Sequence, residues 1–195
     1  MKTNPFSPEL RTMAFVPRWA ILMAGNRDNV AAHSFYVTIY SRIMADVIGW
    51  KGPMDYLMWQ ALIHDADETI TGDVIGPAKK HVIDEEKAAN FIYEQMEEKM
   101  PSILDLSERM EATDAQHDEA IRIVHCADKL DAILFLIGQH RMGNRVVEYC
   151  IEKGMTSLEG SWRDLPAEEG KLSMLWQTTV LPSIKAHYTE GGRGI

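Results

Sequence analysis

The stretch 57-LMWQALIHDADETITGD-73 carries an apolar helix straight into a histidine and four acids, His64 with Asp65, Asp67, Glu68 and Asp73. Charged side chains are seldom buried without a partner. Either the helix reaches solvent here, or the acids gather around something positive. Leu57 and Ala61 lie one or two turns before His64, and a 3.6-residue period sets all three on one face. Glu68 follows His64 by four residues and falls on the same row. The pattern is helical, and no strand-like alternation persists anywhere else in the chain.

Working outward, helical periodicity predicts segments over 29-NVAAHSFYVTIYSRIMADVIGW-50, 54-MDYLMWQALIHDADE-68, 84-DEEKAANFIYEQMEEK-99, 119-EAIRIVHCADKLDAILFLIGQHRMG-143, 145-RVVEYCIEKG-154 and 171-KLSMLWQTTVLPSIKAHY-188. Asn29 is a good N-cap, and Pro53 suits a first turn. Pro101 closes the third segment, Gly154 caps the fifth, and Pro182 kinks or splits the last. Two loops stand out: 11-RTMAFVPRWAILMAGNRDN-29, rich in aromatic and basic residues, and 69-TITGDVIGPAKKH-81, punctuated by Gly72, Gly76 and Pro77. The fold class expected is all-α, one domain over 1–195 with its core in 15–188 and a disordered tail at 189–195.

At 195 residues the chain can bury a continuous core, and 46% hydrophobic with 25% charged residues is ordinary for a globular protein. A net charge of −9 argues against a nucleic-acid surface, which would carry a basic stripe. It leaves small anionic ligands open, because a local cation overrides the global sign. The start 1-MKTNPFSPEL-10 has no apolar run behind its lysine, and 132-AILFLI-137 is far too short to span a bilayer. Cys126 and Cys150 lie in apolar helical segments and read as buried thiols rather than a disulfide framework. A cytoplasmic protein, with no membrane and no nucleic-acid partner, is expected.

Two more helices carry polar residues on apolar faces. His33 shares its face with Val37, Tyr40 and Met44, and Asp128 with Ile121, Val124, Leu134 and Phe135. An isolated buried carboxylate is costly, so Asp128 must be paired, liganded or protonated. His33, His64, Asp65 and Asp128 together offer two imidazoles and two carboxylates, a mixture that suits a borderline divalent ion. Each has a plainer reading: a hydrogen-bonded core histidine, an aspartate paired with a backbone amide, a helix start in solvent. For 18-RW-19 the plain reading is a surface arginine beside a core tryptophan. Helical spacing alone does not bring three separate helices together, and both readings stand on the residues themselves.

In order, 18-RW-19, 29-NVAAHS-34, 64-HDADE-68, 71-TGD-73 with the string through 77-PAKK-80, and 127-ADKLDA-132 resemble the HD-domain metal-dependent phosphohydrolases. Within them, the chain is similar to the 5′-deoxynucleotidases and the related phage and biosynthetic deoxynucleoside triphosphate hydrolases, over roughly residues 15–135. The resemblance implies one HD-domain helical bundle. It implies His33, His64, Asp65 and Asp128 as ligands of one divalent transition metal (Co, Mn, Zn or Fe), and Glu68 as the acid/base residue. Arg18 would bind phosphate, Trp19 would pack against the sugar and disfavour a 2′-hydroxyl, and Thr71 and Asp73 would border the sugar and phosphate. Ile21 and Pro77 would sandwich a base, while Lys79, Lys80 and Arg27 would meet further phosphates. Two departures are visible. Ala32 stands where many relatives carry Glu, so a supporting hydrogen bond beside His33 is expected to be missing. Asp67 adds a carboxylate where small residues are common.

The implied activity is removal of phosphate from 2′-deoxynucleotides, mono- or triphosphate, with adenine preference among the choices. Hydrolysis of a cyclic dinucleotide or alarmone is the runner-up, and a catalytically silent nucleotide-binding HD module is the non-enzymatic alternative. Relatives form dimers or larger assemblies, so a homo-oligomer is expected, with Trp162, Met174 and Trp176 as a candidate patch.

Overall fold

The computed structural model describes residues 8–20, 22–25, 27–74 and 81–189. A 3-10 helix, Pro8–Phe15, leads into a loop and then α1, Val30–Ile48. After it come α2 (Met54–Ile63), α3 (Glu68–Thr71), α4 (Glu85–Lys99), α5 (Pro101–Arg109) and α6 (Asp114–Arg141). A 3-10 turn, Arg145–Val147, joins α6 to α7, Glu148–Arg163. The chain ends in α8 (Glu169–Leu175), a π-helical turn (Trp176–Val180) and α9 (Leu181–Thr189). The described residues contain no strand, only one isolated bridge between Pro17 and Asn29. The all-α expectation holds, and no described helix is long and apolar enough to cross a membrane.

Local chemistry sets the ends of the helices. The Asn29 side chain accepts the Ala32 amide at the start of α1, and Gly49 closes it at φ 76°, a left-handed conformation that suits glycine. Lys171 adds its ammonium to the Ile48 carbonyl at 2.7 Å, placing a cation at the negative end of α1. At the start of α6, Thr113 and Gln116 bond each other's backbone amides reciprocally. That cap draws the helix start to Asp114, five residues ahead of the expected one.

Four further boundaries depart from expectation for physical reasons. α2 ends at Ile63, and a tight turn at 64–67 separates it from α3, because Ala66 and Glu68 donate back only three residues, to Ile63 and Asp65. Pro101 ends α4 but also opens α5 as its first residue, where a missing amide costs nothing. Gly154 does not cap α7; it lies inside, where an added Cβ would stand 3.0 Å from Ile133 Cγ1, so the glycine lets α7 lie against α6. Ahead of Pro182 the last segment widens into the π-helical turn, which absorbs the amide and the space that proline denies its preceding turn.

α1 packs on α2 and α6, and α6 packs in turn on α7. Their shared core holds Val37, Met44, Leu57, Ala61, Ile123, Val124, Ile137 and Leu158. Trp162 and Trp176 belong to this core at 2% and 4% exposure, so the patch expected of them is not on the surface; only Met174 is exposed. A smaller cluster of Ala66, Met100 and Ile103, flanked by Trp59 and Ile70, seats the turn after α2 against α5. Its effect is to hold residues 64–68 rigidly beside α1 and α6.

Candidate metal centre

Three helices and one loop meet at the open ends of this packing. His33, in the second turn of α1, is fully buried at 0% exposure, and its Nδ1–H donates to Asp131 Oδ2 at 2.7 Å. His64, just past α2, donates its Nδ1–H to the Ala61 carbonyl at 2.8 Å. With both Nδ1 atoms donating, each ring turns a lone pair outward from Nε2. Those two Nε2 atoms face each other at 3.3 Å. Asp65 Oδ2 lies 3.3 Å from His64 Nε2 and 3.6 Å from His33 Nε2, and Asp128 Oδ1 lies 3.1 Å from His33 Nε2.

Three lone-pair atoms, His33 Nε2, His64 Nε2 and Asp65 Oδ2, thus lie within 3.3–3.6 Å of one another, and Asp128 Oδ1 joins them from the His33 side at 3.1 Å. Without a metal, a proton on His33 and the Arg18 guanidinium offset the carboxylates, and a divalent ion would take the place of that proton. Ligands at about 2.0–2.2 Å from one ion stand roughly 3.0–3.5 Å from each other, and imidazole with carboxylate is a set that divalent transition metals accept. The donor set and its spacing fit a divalent metal. The same crowding governs the titration of these groups. Burial works against charge on His33, but the carboxylates of Asp128 and Asp131 outweigh it and raise the ring to about 9. Burial opposes ionisation of Asp65 too, yet His64 and Arg18 hold its carboxyl well below the usual range. Asp128 is lowered likewise against burial, by His33 first and Arg18 after it.

Arg18 stands over this group. Its Nη1 donates to Asp65 Oδ2 at 2.9 Å, and Nη2 lies 3.8 Å from Asp128 Oδ1. Its amide donates to the Asp28 carbonyl at 3.0 Å, which fixes the loop against the start of α1. Trp19 adopts φ 62°, a left-handed conformation uncommon outside glycine. Two contacts hold it there: its amide donates to Asp73 Oδ2 at 3.1 Å, and its ring stacks on Phe135 with centroids 5.5 Å apart and 7° between planes. Arg18 Nε and Trp19 Nε1 are buried donors with no hydrogen-bond partner among the described residues. Glu68, at the first residue of α3, is buried at 3% exposure, one tight turn after Asp65.

The 5′-deoxynucleotidase YfbR-like family matches residues 5–164, most of the chain. The chain belongs to that family. It is 28% identical over 148 residues to the 5′-deoxynucleotidase yfbR of Photorhabdus temperata, covering 71% of this chain and 75% of that one. It is 25% identical over 178 residues to a 5′-deoxynucleotidase of Vibrio parahaemolyticus, covering 87% and 91%. Among solved structures it resembles an HD-domain phosphohydrolase from Listeria innocua, at TM-score 0.65 and 17% identity, over 93% of this chain and 90% of that one. It also resembles the cyanophage S-2L HD phosphohydrolase bound to dA and one catalytic Zn²⁺ ion, at TM-score 0.63 and 21% identity, over 91% and 95%. These two likenesses carry the fold; membership in the deoxynucleotidase family rests on the sequence match.

Of the residues expected at the site, the structure brings His33, His64, Asp65, Asp128 and Arg18 together, with Trp19, Asp73 and Glu68 around them. Thr71 is exposed at the end of α3, where its hydroxyl donates to the Gly72 carbonyl at 3.0 Å, and Arg27 is exposed in its loop. Ile21, Pro77, Lys79 and Lys80 lie outside the described residues, as does the tail 190–195. Asp128 is less enclosed than expected: its side chain is 37% exposed at the mouth of the group. The buried acid of α6 is Asp131, which the sequence reading passed over, and it supplies the supporting bond that Ala32 had suggested was missing. The signal was present in 127-ADKLDA-132: Asp131 follows Asp128 by three residues and shares its side of the helix. Asp28 completes this outer layer beside Asp131 and His33; burial, joined by the charge of Asp131, raises its carboxyl.

Proposed function

We propose that this protein is a metal-dependent phosphohydrolase that removes phosphate from 2′-deoxynucleotides, with monophosphates as the first choice of substrate. The single observation that carries the reading is the His33, His64 and Asp65 group, with Asp128 against His33 and a half-buried arginine over it, in a chain of the YfbR-like 5′-deoxynucleotidase family. His33 Nε2, His64 Nε2, Asp65 Oδ2 and Asp128 Oδ1 would hold one divalent ion, with Co, Mn, Zn and Fe the candidates for this borderline set. When bound, such an ion supplies a polarised phosphoryl oxygen and a more acidic water.

The rest falls to side chains of the protein. Glu68, buried one turn after Asp65, would take a proton from the attacking water and return it to the departing sugar oxygen. The overall step breaks one P–O bond, adds water, and leaves a deoxynucleoside with inorganic phosphate. Arg18 carries the opposite charge to the phosphoryl oxygens and offers a guanidinium fork whose Nε–H is unused among the described residues. Trp19, braced by Asp73 and Phe135, would lie against the sugar and leave no room for a 2′-hydroxyl. Asp73 then acts through the Trp19 backbone rather than by touching the sugar.

The test is a phosphate-release screen of deoxy- and ribonucleotides, mono- through triphosphate, with Mn²⁺, Co²⁺, Zn²⁺ and Mg²⁺ supplied in turn. Release of phosphate from deoxynucleoside monophosphates, with ribonucleotides poor, supports the proposal. Release of intact triphosphate from deoxynucleoside triphosphates alone moves the substrate to the longer chain. Equal rates on ribonucleotides, or no hydrolysis with any metal, overturns it.

A further inference from the structure

One side of α6 does more than bring acids to His33. Asp128, Asp131, Phe135 and Gln139 follow one another at helical spacing and share a stripe of that helix. The first two face His33, and the third carries the Trp19 ring. Gln139 comes fourth, a polar side chain buried at 2% exposure. Its Oε1 accepts the Gly25 amide at 2.9 Å, and Gly25 belongs to the loop that carries Arg18 and Trp19. Just past α6, Asn144 holds the same loop, its Nδ2–H donating to the Met23 carbonyl at 2.6 Å. The Asn144 amide donates to the Gln139 carbonyl at 3.1 Å, which ties the two residues together.

The loop is held at both its base and its tip. At the base, the Arg18 amide reaches the Asp28 carbonyl at 3.0 Å and the Val30 amide the Val16 carbonyl at 3.1 Å. At the tip, Met23 and Gly25 hang from the end of α6. Between tip and Trp19 runs a short relay. The Ala24 amide donates to the Leu22 carbonyl at 2.9 Å, the Leu22 amide donates to the Trp19 carbonyl at 3.0 Å, and Leu22 packs on the core. Trp19 needs such support, because its φ of 62° persists only where the surroundings over-determine it.

We propose that Gln139 and Asn144 are positioning residues, which fix Trp19 through residues 22–25 and so set the discrimination against ribonucleotides. The proposal rests on the sugar-facing role given to Trp19 above. In an ordinary surface loop, water satisfies an amide such as that of Gly25. Here a buried glutamine does so, although ordering and desolvating that side chain is costly. The gain is a common frame. Gln139 lies on the same stripe as Asp128 and Asp131, so loop and acids are referred to one rigid helix. Misplacement by about 1 Å in such a frame is enough to cost about 10²-fold in rate.

The experiment compares the full chain with three variants. Gln139→Met keeps the volume and removes the accepting oxygen, while Gln139→Glu keeps that oxygen. Asn144→Asp removes the donor to Met23 and leaves the oxygen that accepts the Val146 amide. Each is measured by amide hydrogen exchange in nuclear magnetic resonance, and by phosphate release from paired deoxy- and ribonucleoside monophosphates. Gln139→Met and Asn144→Asp should speed exchange at Leu22 and Gly25 by about 5–10-fold, the loss of one ordinary hydrogen bond. They should lower the deoxy-to-ribo ratio of kcat/KM by about 5–50-fold and leave Zn²⁺ affinity within about twofold. Gln139→Glu should stay within about threefold of the unaltered chain in both readouts. Unchanged exchange and ratio in Gln139→Met and Asn144→Asp would overturn the proposal. So would an equal loss in Gln139→Glu, or a fall in Zn²⁺ affinity as deep as the fall in ratio, which would mark a general disturbance of the fold. Faster exchange in the variants of a chain whose unaltered form hydrolyses no deoxynucleotide would support the hold on the loop and overturn the hydrolase reading.

Discussion

Replacing Asp131 by alanine removes the acceptor that holds the His33 ring, without touching any of the four lone-pair atoms. The bond is short, 2.7 Å, and both partners are buried, with side-chain exposures of 0% for His33 and 8% for Asp131. Water therefore does not replace it readily. Losing it frees His33 to rotate, lets the proton move to Nε2, and makes the ring a weaker base. Support of this kind is worth about 10–100-fold in metal affinity, or roughly 1.4–2.7 kcal/mol. Asp131→Asn keeps volume and an acceptor oxygen but not the charge, so its loss should fall below that of alanine. The fold should survive both changes, because Asp28 is relieved of a neighbouring negative charge. Competition against a chelator of known affinity, with Zn²⁺ and Co²⁺, gives the dissociation constants directly. Affinity for Asp131→Ala within about twofold of the unaltered chain would refute the view that this hydrogen bond orients the site.

The other predictions concern separate parts of the structure. Glu68→Ala should retain metal yet slow phosphate release by about 10²–10⁴, the usual contribution of a positioned proton-transfer group; a normal rate would remove Glu68 from the chemistry. Trp19→Ala should raise the ribonucleotide rate relative to the deoxynucleotide rate, and an unchanged ratio would end its role at the sugar. Burial pushes the Cys126 thiol up to about 12 against the pull of Lys129, so the folded chain keeps this proton where an unfolded one loses it. Its contribution to stability is whole below pH 9 and is lost as pH rises toward 12. Thiol titration at pH 8 should count no more than Cys150 in the native chain and both cysteines in denaturant; prompt labelling of Cys126 would contradict its burial.

Much of the site was legible because its chemistry is local in sequence. HDADE puts two of the proposed ligands and an acid within about one turn, and His33 and Asp128 advertise themselves as polar residues among apolar ones. What escaped depends on facing directions that a pattern does not supply. Asp131 and Asp128 lie three apart on α6, and only the packing of α1 decides which of them goes inside. Trp19 holds a positive φ that rules of thumb reserve for glycine, because Asp73 and Phe135, distant in sequence, make that conformation the favoured one. The two tryptophans of the C-terminal third read equally well as patch or core. Both are buried in the core, and the Trp162 indole N–H donates to the Leu172 carbonyl at 2.9 Å. Gly154 looked like a stop but serves a close approach between helices, a distinction that needs the neighbour Ile133.

X-ray absorption on the metal-loaded full chain, with ion content measured alongside, addresses the convergence of α1, the α2–α3 turn and α6 most directly. One ion per chain is expected, surrounded by nitrogen and oxygen at about 2.0–2.2 Å with the outer-shell signature of two imidazoles. A sulfur neighbour, no imidazole signature, or no ion retained would mean that His33, His64, Asp65 and Asp128 do not share a cation.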